Sequence, residues 1–416
     1  MCTTYLMVRL IHEIGLDLIG LPRLVRLNPN IRYKTRGNAA LCAEFGEGNG
    51  SKTQVGTWMG NPIYSWPGGH LDGDPEEVAD IAASIVGGMY ERDENTNPGI
   101  VVSEMAFPEK LYHDTLQREM KKEEALAAIR DHGAAYREFG NGRGIIGASA
   151  ALAWRKRRRT FELIVYDRTG PALSRTQRMK IANWTETFQG VFNSTDGDRN
   201  TPLIFPSPRT PVFAGIRSVN FQSLLEMNSS AAFNETMACS SSLIFETNQG
   251  TDDHIVENPD RLTDMISCSI TCVVSSTPVS RTGGHWFCTV DWKGDKVEVA
   301  AFEPSKRLRH AFSSLEPGDL IRIFGSYNSG VLNLEKMEVV SASRSFSRSS
   351  GRCRRCDSQM RNVGKGTRKC VSCGDTCDFN SFIEDQRELA RGWFQAPPSS
   401  QRHLYRPVGL DLAESA

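Results

Sequence analysis

The chain opens on a helical stripe. Met7, Leu10, Ile11 and Ile14 recur at helical spacing, and Gly15 stands where a helix stop is favoured. Thr3 or Thr4 is placed to cap that helix. The pattern then becomes extended from Ile19 to Leu27, interrupted by Pro22, and again over residues 39–45. Residues 46–73, rich in Gly, Ser, Thr and Asn, read as a long loop. After Pro75, the positions Val78, Ile81, Ala82 and Ile85 mark the buried face of a second helix, and a third is predicted over residues 108–130. A glycine-rich turn at residues 140–144 introduces a helix over residues 145–158. Strand and helix patterns alternate to about Ile255, which makes the first 250 residues α+β.

The texture changes between Ile266 and Val340. Short β-rich runs at residues 269–274, 285–290, 296–302, 320–325 and 331–339 are separated by turns, with a short helix between the third and fourth. Five strands with an insertion at that point fit a small OB barrel. A Ser/Arg-rich linker, residues 341–352, leads to a cysteine cluster, and a last helix is predicted near residues 382–392.

Composition narrows the class. A chain of 416 residues calls for two to four domains, and 39% apolar with 24% charged residues suits a soluble protein with a sizeable core. No apolar run reaches the roughly 18–20 residues of a membrane span. Arg9, His12 and Glu13 break the layout of a signal peptide. Net charge is zero, so a nucleic-acid surface requires local clustering of cations. Of eleven cysteines, four fall in two C-x-x-C pairs, a pattern of metal binding in a reducing cytoplasm.

Those pairs are Cys353/Cys356 and Cys370/Cys373, separated by thirteen residues. Two tight turns that each present two thiolates complete a tetrahedral Zn2+ shell. Gly374 follows the second pair, where a knuckle needs freedom from Cβ strain, and Cys377 reads as a spare thiol. Residues 344–369 hold nine Lys/Arg against the single acid Asp357. That charge suits a phosphate backbone, although a solvated surface gives the same pattern. An OB barrel beside it favours RNA.

A second constellation runs from Pro22 to Asn38 and holds five cations, Arg23, Arg26, Arg32, Lys34 and Arg36, with no acid. Such a stretch can clamp phosphates or face solvent as a charged loop. Thr3 is either a plain cap or a group beside the positive end of a helix, where phosphate is favoured. Gly142, Arg143 and Gly144 can bring backbone N–H groups against a phosphate, a weak signal taken alone. The cations of residues 155–159 either complement a helix end or touch RNA. Asp252, Asp253 and His254 can hold a cationic ligand or Mg2+, or form a polar loop.

Taken in order, these segments resemble the TiaS family, the archaeal synthetases that make 2-agmatinylcytidine in an isoleucine tRNA. The match rests on Met1–Leu6, Pro22–Asn30, Lys34–Asn38, Thr96–Gly99, Gly142–Ala148, Phe213–Arg217 and Phe245–His254, and it continues into the barrel and the ribbon. The resemblance implies an α+β multidomain protein. Its parts would be a kinase-like α/β ATP-binding domain at residues 1–160, a ferredoxin-like domain at 161–260, an OB-fold at 263–342, a zinc ribbon at 350–378 and a tail at 379–416. It implies that ATP, with Mg2+, phosphorylates the 2-carbonyl oxygen of the wobble cytidine. The amine of agmatine then attacks that carbon and expels phosphate, so that the isoleucine tRNA with a CAU anticodon reads AUA.

Thr3 takes the place of the family's phosphorylated threonine. Lys34 and Arg36 join it as catalytic candidates. Arg23, Arg26, Asn28, Asn38, Gly142, Arg143 and Gly144 are nucleotide-binding candidates, and Asp252, Asp253 and His254 are substrate-binding ones. Family members carry a strand with an acidic, magnesium-binding segment ahead of the Met-Cys-Thr-Thr stretch. Counting from Met1, that segment is expected to be missing, leaving a sheet one strand short. The competing expectation is a non-catalytic RNA-binding paralogue that keeps barrel and ribbon. A single-stranded-DNA protein leaves the first 250 residues unexplained.

Overall fold

The computed structural model describes residues 2–32, 37–90, 96–206, 210–343, 346–348, 351–364, 366–378, 382–384 and 389–412. Helix α1 spans Thr3–Glu13. Its N-cap is Cys2, with φ −105° and ψ 111°, so neither threonine caps it and Thr3 takes the first helical position. Gly15, at φ +75°, ends the helix as its position predicts.

Strands β1 (Asp17–Arg26) and β2 (Ala39–Asn49) follow. The expected loop at residues 46–73 is instead three more strands: β3 (Thr53–Trp58), β4 (Asn61–Trp66) and β5 (Gly68–Leu71). The turn residues there punctuate strands and do not replace them. Met59 and Gly60 both take positive φ, +47° and +83°, the requirement of a tight hairpin turn. Val55, Trp58, Ile63 and Ser65 supply its buried side.

Helix α2 (Pro75–Met89) starts on an Asp74 cap that accepts from the Glu76 N–H. After β6 (Gly99–Val102), the single helix predicted over residues 108–130 is two, α3 (Glu109–Gln117) and α4 (Lys122–Asp131). Arg118 is extended at the break, and Glu124 holds it there: the carboxylate accepts from the Arg118 guanidinium at 2.6 Å and from the Lys121 N–H at 2.9 Å. Strand β7 (Ala135–Glu138) precedes α5 (Gly144–Ala153), which stops five residues short of the predicted end. Trp154 turns extended and is buried, so the cations after it lie in a connector. There Lys156 and Arg159 clamp Glu246, and Arg157 pairs with Glu109.

The next elements are β8 (Thr160–Arg168), α6 (Arg175–Thr185), β9 (Val191–Phe192), β10 (Thr195–Asp196), β11 (Thr201–Pro202), β12 (Val212–Ser218), α7 (Phe221–Ser229), α8 (Ala231–Met237) and β13 (Cys239–Thr247). A nine-stranded sheet in the order β5-β2-β1-β4-β3-β13-β8-β12-β9 runs through the first 250 residues. The shift in β1 between Ile19 and Arg23, around Gly20 and Pro22, lets that strand fork. Leu18 pairs with Ser65 of β4, whereas Arg23 pairs with Glu246 of β13.

The barrel follows the predicted pattern closely. After β14 (Ile255–Glu257) come β15 (Ser267–Val274), β16 (Val279–Arg281), β17 (His285–Trp292), β18 (Asp295–Ala301), α9 (Arg307–Ser313), β19 (Leu320–Asn328) and β20 (Val331–Ser341). Pairings β15–β17, β17–β18, β18–β20, β20–β19 and β19–β15 close five strands, the Greek-key order of an OB barrel. Beyond it lie β21 (Phe346–Arg348), the ribbon strands β22 (Met360–Gly364), β23 (Thr367–Cys370) and β24 (Thr376–Asp378), then β25 (Phe382–Glu384) and β26 (Gly392–Gln395). The helix predicted at residues 382–392 gives way to strands at both ends, because β25 finds β21 and β26 finds β20. Residues 385–388 lie outside the described ones.

The last segment straps the parts together. Arg402 donates to Asn30 Oδ1 and to Ser326 Oγ, Gly250 N–H donates to the His403 carbonyl at 2.9 Å, and the Arg406 N–H donates to Asp252, which also pairs with Lys336 of the barrel.

Candidate functional site

A cleft of about 1230 Å³ opens in the first half of the chain. The exposed Thr3 and the α1 residues Leu6, Met7 and Leu10 form one wall with α2. The start of α5 and the turn between α3 and α4 form the other. Residues 39–45 of β2 and residues 99–102 of β6 lie between them. Those stretches pair with β1 and β7 respectively, and among the described residues no strand pairs with their opposite edges.

Two helix starts meet this cleft. Neither α1 nor α5 carries an acid in its first turn or a side-chain cap bond, so no side chain of their own offsets their positive dipole ends, which suit an anion. Gly144 starts α5 against the loop Thr96-Asn97-Pro98-Gly99. A Cβ on Gly144 would stand 2.2 Å from the Gly99 nitrogen, and one on Gly99 would stand 2.2 Å from the Ile145 nitrogen. Two backbones therefore touch where any side chain would separate them. Asn97 Oδ1 accepts from the Asn141 N–H at 3.0 Å and ties the two loops.

Two arginines face the same space. Arg23, 7% exposed, pairs with Glu44 across β1 and β2, and its Nε has no hydrogen-bond partner among the described residues. Arg143 pairs with Glu119 at 3.0 Å. Glu44 and Glu119 carry no motif signal, which is why the sequence does not single them out. Only the fold sets them beside these cations.

Of the residues singled out in the sequence, Thr3, Arg23, Asn38, Arg143 and Gly144 line the cleft. Lys34 and Arg36 lie outside the described residues. Gly142, at φ +76°, sits behind the loop near Glu138 and Lys122. Arg26 points elsewhere: it donates to the Gly37 carbonyl at 3.1 Å, and burial pulls its guanidinium down to about 10. With Arg217 it flanks His403. The Arg26 charge, then burial, holds that imidazole well below its usual value.

Asn28 and Asn30 both donate to the Met265 carbonyl at the foot of the barrel, and Asn38 donates to the Asn28 carbonyl. That motif is a joint between the two halves. Asp252, Asp253 and His254 do not converge. Asp252 holds Lys336 and the Arg406 N–H. Asp253 accepts from the Tyr112 hydroxyl at 2.9 Å, and burial raises its carboxyl. His254 is fully buried, 3.7 Å from Glu335.

The cysteines behave as their spacing predicts. The sulfurs of Cys353, Cys356, Cys370 and Cys373 lie within 4.8 Å of one another, and no other group of at least three His, Cys, Asp or Glu among the described residues is placed to hold a metal. Each knuckle turns on a left-handed residue after its second cysteine, Asp357 at φ +55° and Gly374 at φ +75°. The N–H groups of Ser372 and Cys373 point at the Cys370 sulfur at 3.4 and 3.5 Å. Hydrogen bonds from Ser358 pull the Cys356 thiol down to about 6, toward the thiolate a metal requires.

The model of the TiaS TCKD domain matches residues 1–141, and that of the TiaS FLD domain matches residues 142–254. The isoleucine-tRNA 2-agmatinylcytidine synthetase TiaS of Thermoplasma volcanium is 40% identical over 99% of this chain and 94% of its own length. A crystal structure of TiaS in complex with its isoleucine tRNA and ATP superposes with a TM-score of 0.78 at 28% identity, covering 100% of this chain and 95% of that one. A complex of TiaS with the same tRNA, AMPCPP and agmatine gives 0.76 at 26%, with the same coverage. Forty per cent identity across almost the whole length, with both domain models in chain order, places this chain in the TiaS family of isoleucine-tRNA 2-agmatinylcytidine synthetases.

Proposed function

We propose that this protein is the ATP-dependent ligase that joins agmatine to carbon 2 of the wobble cytidine in the isoleucine tRNA with a CAU anticodon, so that the tRNA reads AUA. The observation that carries this reading is the cleft, where Thr3 at one helix start and Arg143-Gly144 at another face a common space. The cytidine carbonyl oxygen is a poor leaving group. Phosphoryl transfer from ATP makes it a phosphate ester, and the agmatine amine then replaces that phosphate at carbon 2. Phosphoryl transfer depends chiefly on positioning and charge neutralisation. In this reading the two helix starts, with Arg23 and Arg143 exchanging their Glu44 and Glu119 partners for phosphate oxygens, would neutralise the transferring group, and Thr3 would be a phosphate acceptor.

Residues 1–160 act as the kinase-like part and 161–260 as the ferredoxin-like part in this reading. Mg2+ would accompany the nucleotide. The exposed carboxylates Asp72 and Glu104 on the cleft rim offer it oxygen, which suits an ion held mainly through phosphate and water. The four thiols fit Zn2+ by donor type and closed four-fold geometry. With the barrel, the ribbon would hold the body of the tRNA. Free thiols throughout suit a reducing cytoplasm.

The test incubates the protein with ATP, radiolabelled agmatine and an unmodified transcript of that tRNA. Label is expected in the RNA, and Thr3→Ala is expected to abolish transfer of the ATP γ-phosphate to the protein. Tight tRNA binding with no label in the RNA would overturn the ligase reading in favour of a non-catalytic RNA-binding relative.

A further inference from the structure

The hairpin of β3 and β4 carries an aromatic face that the cleft does not use. Along β4, Ile63 and Ser65 are buried, so the alternate residues Tyr64 and Trp66 stand on the opposite face, half-buried. The Lys52 ammonium bridges them, 4.4 Å from the Tyr64 ring centre and 5.3 Å from that of Trp66. The indole lies against Gly48. A Cβ there would fall 2.3 Å from the Trp66 ring, so only glycine lets the ring lie flat on the strand. Gly50 gives Pro67 the same close approach, at 2.9 Å.

This face leads to the cleft. β4 passes through Pro67 into β5, where Gly48 pairs with Gly69, and His70 and Leu71 line the cleft. His70 lies four residues beyond Trp66, across the bend at Pro67, so at most roughly 13 Å of chain separates them, a span of a few nucleotides at most.

Two neighbouring rings with a cation between them match the chemistry of an unpaired nucleotide. Drawn to the adjoining phosphate, the Lys52 ammonium would uncover the outer ring faces it now spans, and a base would take its place there. A folded protein partner calls for a larger apolar surface, and this face is two rings wide. We propose that Lys52, Tyr64 and Trp66 form a stacking platform for an unpaired nucleotide of the RNA substrate, next to the nucleotide that enters the cleft. This rests on the reading that the substrate is a tRNA.

The experiment measures the dissociation constant of the CAU-anticodon transcript for the full-length protein across a salt series, together with ATP binding. Trp66→Ala is expected to weaken RNA binding at least fivefold, Trp66→Phe to restore most of it, and ATP binding to stay unchanged. Lys52→Ala, a surface change that does not threaten folding, is expected to weaken binding more modestly and to lower the salt slope by about one. Unchanged RNA affinity in both Trp66→Ala and Lys52→Ala overturns the platform, as does equal weakening by Trp66→Phe and Trp66→Ala. If the wild-type protein binds this transcript no better than an unrelated hairpin RNA, the tRNA reading itself fails, a result distinct from loss in the variants alone.

Discussion

The cysteine cluster and the cleft are built in opposite ways. The four cysteines fall within residues 353–373, on two turns of a three-stranded ribbon that ends at residue 378. The cleft draws its walls from Thr3 to Leu152 and depends on strands, helices and loops brought together by the nine-stranded sheet. A locally built site needs only spacing and turn geometry. A site assembled over 150 residues needs every element beneath it. The first can be lost without the second, but not by the same perturbations.

The largest expected effect is on the local site. With Zn2+ on the four thiols as proposed, Cys353→Ser or chelation should release it and unfold the ribbon, because metal binding in such modules contributes about 10–16 kcal/mol of folding free energy. Metal analysis and proteolysis of the ribbon check this, while ATP binding at the cleft should persist. A cleft that fails together with the ribbon would break the comparison.

Lys336→Ala comes next and strikes the assembled half. It strips the Asp252 carboxylate, 14% exposed, of its buried ammonium partner at the seam between barrel and sheet. Removing one member of such a pair costs about 3 kcal/mol. Urea unfolding should show that loss with full metal occupancy of the cysteines. The smallest effect, about 1–3 kcal/mol, is expected for Gly144→Ala, whose new Cβ meets the Gly99 backbone. That variant should lose ATP affinity beyond its loss of stability, because the pressed loops also position the start of α5.

Much of the barrel was readable in advance. Its five strands and inserted helix sit within a few residues of the predicted runs, because alternation of buried and exposed positions on a closed sheet is a strong period-two signal. The β3–β4 hairpin and β5 at residues 53–71 were not. Glycine and asparagine there serve hairpin turns and close ring packing, and in sequence those uses look like loop composition. The break between α3 and α4 was equally hidden, since it hangs on the Arg118–Glu124 pair six residues apart. The helix predicted near residues 382–392 lost to pairing with strands distant in sequence.

The site divides the same way. Cys353, Cys356, Cys370 and Cys373 were fixed by spacing, because two knuckles determine the position of four sulfurs without outside help. The basic stretch from Pro22 to Asn38 looked like one phosphate clamp, yet its members separate. Arg23 and Asn38 face the cleft, Arg26 is half-buried beside His403, and Asn28 and Asn30 bind the barrel. Asp252, Asp253 and His254 likewise hold three different partners.

The sequence by itself determined the paired cysteine knuckles, the barrel strands and their order along the chain, all properties of short-range spacing and periodicity. Only the tertiary structure decided which cations meet at the cleft and which lock the halves together. Strand register and the fork in β1 send neighbouring side chains to different sides of the molecule, and no local pattern records which side each one takes.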